Sequence, residues 1–410
     1  MFKILASAYD VDPFKGSESG SGWNFILQAS KSNKVLAFTR KNNRESIEKY
    51  IIERNVDVSN VSFHYFDLPP WAIFWKRGER FSKLYFYLWQ FSLPIYIYFK
   101  DYEFDLAHNI NFHTDTVPTF LWMLGKPTIW GPINHNEFLR KDFTSLGYYL
   151  KDRFKWILRL LSWKLDPFHF LSRRYVSLVI GSHSSVKKRL GIPSEKFYQL
   201  TTIASEEPLT KKICQEKNLF NIAVIGRQIP IKLIDLSILI FNDFFLKLNT
   251  SDRKKIRLHI LGSGEMNSKL KTLANKLDCS DSIVFIPWIS HDEMGKFYMN
   301  MDCLLNCSHE GGGAIVAESL SYGLPILCFS EFGAGEAINE SCGRKVEVST
   351  KKKSIKNFSK HLMEFYTNPE YIKDLSDGAI KFHKKNLSWD SKAEKLNNIY
   401  NKLMERSKNV

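Results

Sequence analysis

The stretch from Asp302 to Glu340 constrains the fold more than any other part of the chain. It opens with a short apolar run, Cys303 to Cys307, which predicts a buried strand. A loop with three glycines then leads into a helix that ends at Gly323, and Pro325 precedes a second apolar run at 326–329. The order strand, glycine-rich turn, helix, strand predicts a parallel βαβ unit whose turn lies at the carboxyl end of the sheet.

Two acidic residues flank this turn. Glu310 precedes the helix, and Glu318 lies about one turn inside it. Amides at a helix N-terminus favour an anion, and carboxylates accept hydrogen bonds from hydroxyl groups. A sugar nucleotide offers both, since it has hydroxyl groups on its ribose and on its hexose. The candidate ligand-binding residues are therefore the two glutamates with Gly312, Gly313 and Ala314. The alternative is an ordinary glycine turn with solvated acids.

The motif Glu310-GGGAIVA-Glu318-SLSYGLP resembles the donor-binding signature of the retaining family 4 glycosyltransferases. The resemblance implies an α/β chain of GT-B architecture, with two Rossmann-like parallel-sheet domains facing a central cleft and a C-terminal helix that crosses back to the N-domain. It also implies that Glu310 holds the sugar hydroxyls and that Glu318 holds the ribose. The expected reaction is transfer of a sugar from a nucleotide diphosphate sugar with retention of anomeric configuration.

Two cations follow the first strand of the predicted second domain. The strand at 222–225 brings Gly226 and Arg227 to its carboxyl end, and Lys232 stands five residues later at the start of a helix. Such cations can bind a diphosphate and neutralise the charge that builds on it as the glycosidic bond breaks. The arrangement resembles the family's Gly-Arg and Lys-Gly pair, although Leu233 replaces the second glycine. A purely structural salt bridge is the alternative.

The same resemblance implies further donor contacts in the second domain. Gly262 and Gly264 follow a predicted strand, in the position of the family's loop beside the nucleotide. Another predicted strand ends near Ile289, which would lie beside the base. We therefore expect the nucleotide to contact the ends of neighbouring strands in this domain.

The first domain has its own candidates. Gly16 and Ser17 begin a segment that resembles the family's N-terminal glycine loop, with a helix expected near Ser21. The loop is expected to lie near the donor phosphates or the acceptor, or to be a simple turn. His108 and His113 fall where a strand is predicted to end. The resemblance implies that one of these histidines contacts the donor sugar, and the Asp-x-x-His pattern that begins at Asp105 favours His108. A loop histidine is otherwise usually structural.

Composition limits the remaining possibilities. The chain has 410 residues, 44% of them apolar, which is enough for two cores. Its formal net charge of +15 favours anionic partners: nucleic acid, anionic lipid or phosphorylated substrates. Its six cysteines lack CxxC spacing, which argues against zinc and a disulfide framework and suits a reducing cytoplasm. We expect no cofactor, no metal and, since no nucleic-acid module is recognised, no nucleic acid.

The segment 150–163 predicts an amphipathic helix. Its apolar residues form one stripe, and Lys151, Lys155 and Arg159 form a second stripe at spacing four. Basic and aromatic residues together favour an interfacial helix on an anionic membrane surface. The alternative is a solvated helix packed on the first-domain core. No apolar run reaches about 18 residues, so we expect no membrane span, and residues 84–99 are predicted to form a buried or interfacial helix.

These observations predict an N-terminal acceptor-side domain at 1–204, a linker at 205–219, a nucleotide-sugar-binding domain at 220–386 and a crossover helix at 387–410. The expected function is a metal-independent, retaining glycosyltransferase acting on a glycan or polyprenyl-linked glycan in cell-surface polysaccharide synthesis. We expect it in the cytoplasm, at the inner face of the membrane. A GT-B epimerase or hydrolase of sugar nucleotides and a non-catalytic membrane-bound scaffold remain alternatives.

Overall fold

The structure is a computed structural model that describes residues 1–78, 80–134, 138–208, 219–310 and 313–408. Four further side chains, at positions 17, 291, 292 and 408, lie outside this description. So do most of the predicted linker at 205–219 and the candidate residue Gly312.

The chain forms two compact units. The first comprises Met1–His135, Lys155–Thr202 and Trp389–Val410, and the second comprises Asn136–Phe154 and Ile203–Ser388. Each unit contains one parallel sheet with helices, so the predicted pair of Rossmann-like domains is confirmed. The sequence predicts that all of 1–204 belongs to the first domain. In the structure, the segment before Lys155 contributes two buried side chains, those of Leu139 and Phe143, to the core of the second unit.

The first unit contains a seven-stranded parallel sheet, with strand order β3-β2-β1-β4-β5-β6-β7. Its strands are β1 (Lys3–Ala8), β2 (Lys34–Thr39), β3 (Val61–Tyr65), β4 (Leu106–Asn111), β5 (Thr128–Ile133), β6 (Leu178–Gly181) and β7 (Phe197–Gln199). Its helices are α1 (Ser17–Ser30), α2 (Arg44–Arg54), α3 (Ser82–Phe99), the second half of α4 (Leu146–Leu165), α5 (Pro167–Tyr175) and α6 (Ser184–Leu190).

The C-terminal helix α15 (Trp389–Lys408) also belongs to the first unit and packs against α1. Its apolar residues Leu396, Tyr400 and Leu403 recur at helical spacing and are buried there. The predicted return of this helix to the N-domain is therefore confirmed.

The second unit contains a six-stranded parallel sheet, with strand order β10-β9-β8-β11-β12-β13. Its strands are β8 (Phe220–Ile225), β9 (Ile256–Leu261), β10 (Ile283–Ile286), β11 (Cys303–Asn306), β12 (Ile326–Phe329) and β13 (Gly343–Val346). Its helices are α7 (Ile234–Lys247), α8 (Thr250–Arg253), α9 (Asn267–Ala274), α10 (His291–Asn300), α11 (Ala314–Ser321), α12 (Gly333–Ala337), α13 (Lys351–Thr367) and α14 (Pro369–Asn386).

The stretch at 302–340 folds as its pattern predicts. Strand β11, helix α11 and strand β12 follow one another, and β11 pairs in parallel with β8 on one side and with β12 on the other. Helix α11 packs against α14, while α7 packs against α13. Because the strands are parallel, the loops after β8, β9 and β11 all lie at the same edge of the sheet.

Helix α1 differs from the prediction. It begins at Ser17 rather than near Ser21, so Gly20 and Gly22 lie inside the helix. A Cβ atom on Gly20 would lie 2.2 Å from the carbonyl oxygen of Lys15, and one on Gly22 would lie 2.4 Å from Nδ2 of Asn111. These two glycines therefore permit close packing of the protein on itself, and of the predicted loop only Gly16 precedes the helix.

Helix α4 leaves its apolar stripe in solvent. The five predicted stripe residues Leu150, Phe154, Ile157, Leu158 and Leu161 are each between 45% and 61% exposed. On another face, Trp163 is buried in the first unit beside the backbone of Asp115. The helix is thus buried on one face and leaves a second, apolar face exposed.

Helix α3 contains the apolar segment at 84–99 and buries one face in the first unit, where Trp89 donates a hydrogen bond to the carbonyl oxygen of Phe66. Tyr98 and Phe99 at its end are exposed. Within the residues that the structure describes, no helix is both long and apolar enough to cross a membrane.

Candidate functional site

Lys232 lies directly over the turn that follows β8. Gly226 has a φ angle of +144°, and a Cβ atom there would lie 3.1 Å from Cε of Lys232. A larger residue would therefore displace the lysine side chain and strain the backbone. Lys232 itself ends a short 3₁₀ turn, Pro230–Lys232, before α7. The glycine at the strand end thus makes room for the lysine, as the Gly-Arg and Lys pattern indicates.

The Lys232 ammonium donates to the carboxylate of Glu310, with 2.7 Å between Nζ and Oε2. The two side chains are 12% and 18% exposed, so the pair is largely shielded yet reachable from solvent. Glu310 is fixed on both sides, because its amide donates to Ser308 Oγ and its carbonyl accepts from the amide of Gly333. Around the pair is a small crevice lined by Lys232, Asn306, Ser308, Glu310, Gly313, Ile315, Val316 and Ala334.

Helix α11 carries Glu318 in its second turn and begins at Ala314, with Gly313 as its extended N-cap. The hydroxyl of Tyr298 donates to Oε2 of Glu318 at 2.7 Å. Tyr298 is buried, and burial together with the Glu318 charge raises the pKa of its phenol well above the ordinary value. The phenol therefore stays protonated and orients the carboxylate, which keeps accepting capacity for a second partner.

The glycines after β9 pack against the turn after β8. Gly262 has a φ angle of +133°, and its missing side chain leaves room for the carbonyl of Gly226. Gly264 is similarly close to the backbone of Gln228, which is itself buried. Gln228 joins the two loops, because its Nε2 donates to the carbonyl oxygen of Gly262 at 2.7 Å. Gly262 and Gly264 thus lie at the predicted strand ends, and their direct surroundings are protein backbone.

The remaining donor candidates of the second unit, Arg227 and Ile289, do not line the crevice. Arg227 is exposed, and among the residues the structure describes it has no ion-pair partner. Strand β10 ends at Ile286, three residues before the predicted end at Ile289. Pro287 explains this correction, since it has no amide hydrogen to continue the ladder. Ile289 is half-buried in the loop that follows.

Leu233, where the family has glycine, adopts the left-handed conformation that a glycine would favour, with φ +49° and ψ +42°. This conformation costs a residue with a side chain about 1–2 kcal/mol. Leu233 is 1% exposed and packs in the core of the second unit, which offsets that cost. Packing of Leu233 therefore offsets the conformational cost of replacing the glycine of the family's motif. The backbone between Lys232 and α7 keeps the conformation that a glycine would favour.

In the first unit, His113 lies beside the start of α1. Its Nδ1 is 2.8 Å from the carbonyl oxygen of Pro132, so Nδ1 carries the proton, and Nε2 accepts from the hydroxyl of Ser21 at 3.2 Å. The amide of His113 donates to Oε1 of Glu18. Burial lowers the pKa of His113, against the opposing charge of Glu18. The ring is thus a half-buried neutral imidazole near Gly16 and the first residues of α1.

His108 does not lie at a strand end, as the sequence analysis expected. It lies inside β4, fully buried, and both ring nitrogens are used. Nε2 donates to the carbonyl oxygen of Gly131 at 2.7 Å, and Nδ1 accepts from the hydroxyl of Tyr400 at 2.9 Å. Its surroundings are those of a structural residue that joins β4, β5 and α15. This leaves His113 as the better candidate for a ligand contact.

Acid should destabilise the first unit through His108. Burial lowers the pKa of His108 to about 4, below the ordinary value of 6.5. The unfolded chain therefore takes up a proton first, so this contribution to stability is complete above pH 6.5 and is lost as the pH falls towards 4. A shift of this size corresponds to about 3 kcal/mol. Urea unfolding between pH 7.5 and 4.5 measures the slope.

The His108→Asn variant provides the comparison for that prediction. It should be less stable than the parent chain at pH 7.5, because it loses the bond to Tyr400, and its free energy of unfolding should fall less steeply with acid. Equal slopes for the variant and the parent chain would show that His108 does not carry this pH dependence.

Several residues of these sites were not found from the sequence. Tyr298 and Gln228 lie outside any motif and reach Glu318 and Gly262 only through tertiary contacts. Phe143 reaches the second unit from a distant part of the chain and packs 5.5 Å from the ring of His309. Such contacts between distant residues leave no periodic pattern in the local sequence. Within the described part of the chain, no group of three or more His, Cys, Asp or Glu side chains is arranged to hold a metal ion.

Comparison with known proteins bears on both units. Residues 207–382 match the family model described as glycosyl transferases group 1. An uncharacterised glycosyltransferase from Haemophilus influenzae is 32% identical over 145 residues, which is 33% of this chain. The matched region spans only 38% of the length of that relative.

Two solved structures extend the fold comparison to nearly the whole chain. The Anabaena protein HepE, in complex with UDP, has a TM-score of 0.63 at 13% identity and covers 98% of this chain and 100% of its own. WaaG, a glycosyltransferase involved in lipopolysaccharide biosynthesis, has a TM-score of 0.59 at 14% identity and covers 97% of this chain and 99% of its own. The two parallel-sheet units and the likeness to these solved structures show a GT-B fold, and residues 207–382 are similar to the glycosyl transferases group 1 family.

Proposed function

We propose that the chain is a retaining glycosyltransferase that moves a sugar from a nucleotide diphosphate sugar to a glycan or polyprenyl-linked glycan. The observation that carries this proposal is the Lys232–Glu310 pair over Gly226, at the same sheet edge as α11 and its Glu318. A cation and a carboxylate side by side suit a ligand with an anionic bridge next to a polyol. HepE, which shares the fold, has been solved with UDP and with UDP-glucose.

The cations would act on the leaving diphosphate. As the glycosidic bond breaks, negative charge builds on the phosphate oxygen, and an ammonium already held at that point stabilises it without reorganisation. Glu310 pairs with Lys232, whose side chain lies in the space over Gly226. Arg227 is exposed, so its side chain can move to contact the phosphates. The N-terminus of α11 adds the positive end of a helix dipole. In this account the cations and the helix supply the charge that a metal supplies in other transferases.

The two glutamates would hold the hydroxyl groups. Glu310 can accept hydrogen bonds from the transferred sugar while it stays paired with Lys232, since a carboxylate has about four acceptor sites. Glu318 can accept from the ribose with the oxygen sites that Tyr298 leaves open. His113 offers a neutral imidazole in the first unit for the sugar. We assign no general base, because in a retaining transferase of this kind a donor oxygen can take the acceptor proton.

Thermal shift with a panel of nucleotide diphosphate sugars tests the proposal. A ligand that binds only the folded state raises the melting temperature, by an amount that follows its concentration relative to Kd. We expect one nucleotide class to stabilise the chain and its sugar to be transferred to an acceptor extract with release of the nucleoside diphosphate. No stabilisation by any member of the panel would contradict the proposal. Turnover of the donor that needs no acceptor would instead indicate an epimerase or a hydrolase.

We further propose that α4 places the enzyme on the cytoplasmic surface of a membrane, where a polyprenyl-linked acceptor and cell-surface polysaccharide synthesis are found. Its exposed apolar stripe lies beside exposed Lys151 and Lys155, which are charges that attract anionic lipid. The five cysteines that the structure describes are free and buried, as a reducing compartment permits. Membrane attachment of this kind needs no spanning helix.

Charge reversal on α4 tests this attachment. Replacing Lys151, Lys155 and Arg159 by glutamate changes the charge by six and should abolish sedimentation with vesicles that contain anionic lipid, since each basic residue contributes about 1 kcal/mol near such a surface. Turnover on a water-soluble acceptor should be retained. Unchanged sedimentation would contradict the proposed contact.

A matched control is available on α13. Lys352, Lys356 and Lys360 have the same spacing of four and are all exposed, as Lys151 and Lys155 are on α4, where Arg159 is half-buried. Their helix has no comparable exposed apolar stripe. Reversal of these three charges should leave most vesicle binding intact. Equal losses in the two triple variants would mean that net charge, rather than α4, determines lipid binding.

A further inference from the structure

A second cavity in the second unit lies apart from the crevice around Lys232 and Glu310. Its volume is about 530 Å³, within the roughly 300–1,000 Å³ typical of small-molecule sites. Its walls come from the segment 142–148, the turn at Pro230, the start of α7, the start of α9 and the start of α13. None of its lining residues belongs to the candidate site residues predicted from the sequence.

The polar part of the lining accepts hydrogen bonds from hydroxyl groups. Asp142 and Glu265 are exposed at the cavity, and among the described residues neither has an ion-pair partner. A third carboxylate, that of Asp235, is neutralised by Lys351, with 3.2 Å between Oδ2 and Nζ. Lys269 adds one donor. Two open carboxylates against one open ammonium disfavour an anionic ligand and favour a neutral or cationic one that is rich in donors.

The rest of the lining is apolar or aromatic. Phe143, Pro230 and Met266 contribute apolar surface, and Tyr148 contributes a half-buried ring. Burial raises the pKa of Tyr148, and the charges of Asp152 and Glu265 add to this, so its hydroxyl stays protonated and can donate. Carboxylates accept hydrogen bonds from pairs of sugar hydroxyl groups, and an aromatic ring packs against the apolar face of a pyranose. Together these groups are typical of a saccharide-binding site.

The cavity is coupled to the crevice through two of its walls. Pro230 belongs to the same 3₁₀ turn as Lys232. Phe143 packs on the buried ring of His309, whose amide donates to the carbonyl oxygen of Ile231 and which directly precedes Glu310. A ligand in the cavity would therefore contact the turn that carries Lys232 directly, through Pro230, and the loop that carries Glu310 only indirectly, through Phe143.

We propose that this cavity is a saccharide-binding site that holds one sugar of the glycan acceptor. The assignment of the sugar to the acceptor rests on the proposed function, whereas the binding of a saccharide does not. Holding a sugar of the acceptor next to the turn of Lys232 would keep the growing chain close to the donor between rounds of transfer. Variants of the cavity should then raise the KM for the acceptor and leave the binding of the nucleotide unchanged.

Saturation-transfer NMR on the full chain, with the methyl glycosides of glucose, mannose and N-acetylglucosamine as probes, tests the proposal. We expect at least one glycoside to receive saturation, and the Asp142→Asn/Glu265→Gln and Tyr148→Ala variants to reduce that signal at least fivefold. The matched control Glu370→Gln/Asp374→Asn, on exposed positions of α14, should leave it unchanged. The Glu310→Gln variant separates the two sites and should also retain the signal.

Three outcomes would overturn the inference: no saturation of any glycoside, equal loss in the control, or loss in Glu310→Gln with retention in the cavity variants. The last outcome would place the sugar in the crevice. Calorimetric titration with the nucleoside diphosphates that correspond to the thermal-shift panel distinguishes this failure from failure of the proposed function. A chain that binds the nucleotide but not the glycosides refutes the cavity site alone, and a chain that binds the glycosides but no nucleotide refutes the donor site.

Discussion

Replacing Lys232 by methionine is expected to lower turnover by about 10²–10³-fold, the usual effect of removing one group that stabilises developing charge. Methionine keeps the length of the side chain and the contact over Gly226 but removes the ammonium. The Arg227→Gln/Lys232→Met double variant should lose still more, because the second cation acts on the same diphosphate. Release of the nucleoside diphosphate per enzyme per second is the measurement.

The alternative for Lys232 is a structural salt bridge with Glu310, and stability separates the two. The pair is largely shielded, so removing the ammonium should also lower the free energy of unfolding in urea, and the catalytic role predicts that the activation free energy changes by more than this. Lys255→Met provides a control for the loss of a lysine ion pair in the same unit, since Lys255 pairs with Asp252 at 3.2 Å in a more exposed position. Turnover and stability that fall by equal free energies in Lys232→Met would favour the structural role.

The Glu318→Ala variant is expected to bind the nucleotide about 10- to 100-fold more weakly, the loss that corresponds to one or two hydrogen bonds to a charged group. Calorimetric titration with the nucleoside diphosphate measures this directly. Because Glu318 is proposed to hold the ribose, away from the phosphate oxygen on which charge builds, the loss should appear in binding more than in turnover at saturating donor.

A variant of Tyr298 is expected to lower nucleotide affinity by an intermediate amount. Tyr298→Phe keeps the packing of the buried ring but leaves Glu318 without its donor, so nucleotide affinity should fall by a smaller factor than in Glu318→Ala. Glu370→Ala, on the exposed surface of α14, should have no effect. Unchanged nucleotide affinity in Glu318→Ala would show that Glu318 does not bind the ribose. A loss of affinity in Tyr298→Phe alone would indicate a packing effect.

The sequence predicts local features of this fold well. The unit β11, α11 and β12 follows from apolar runs, a glycine-rich turn and Pro325, all of which act within a few residues. The helix at α4 follows from its periodicity, and the position of Glu318 follows from the helix that contains it. These predictions hold because backbone conformation at such sites is determined by neighbouring residues.

What the sequence does not predict depends on contacts between distant residues. His108 lies where the strand continues rather than ends, because Tyr400 and Gly131 complete its hydrogen bonds across the unit. Gly20 and Gly22 indicated a loop, whereas in the structure they allow α1 to pack closely on its surroundings. The burial of Phe143 in the second unit likewise has no local signal. Only tertiary structure distinguishes a glycine for packing from a glycine for ligand binding.

The central claim is that the strand ends of the second unit bind the nucleotide diphosphate of a sugar donor. A crystal structure with the nucleoside diphosphate that gives the largest thermal shift tests it most directly. The account predicts the diphosphate within hydrogen-bond distance of Lys232 Nζ and a ribose hydroxyl on the carboxylate of Glu318. A nucleotide bound elsewhere, with the Lys232–Glu310 pair and Glu318 untouched, would contradict it.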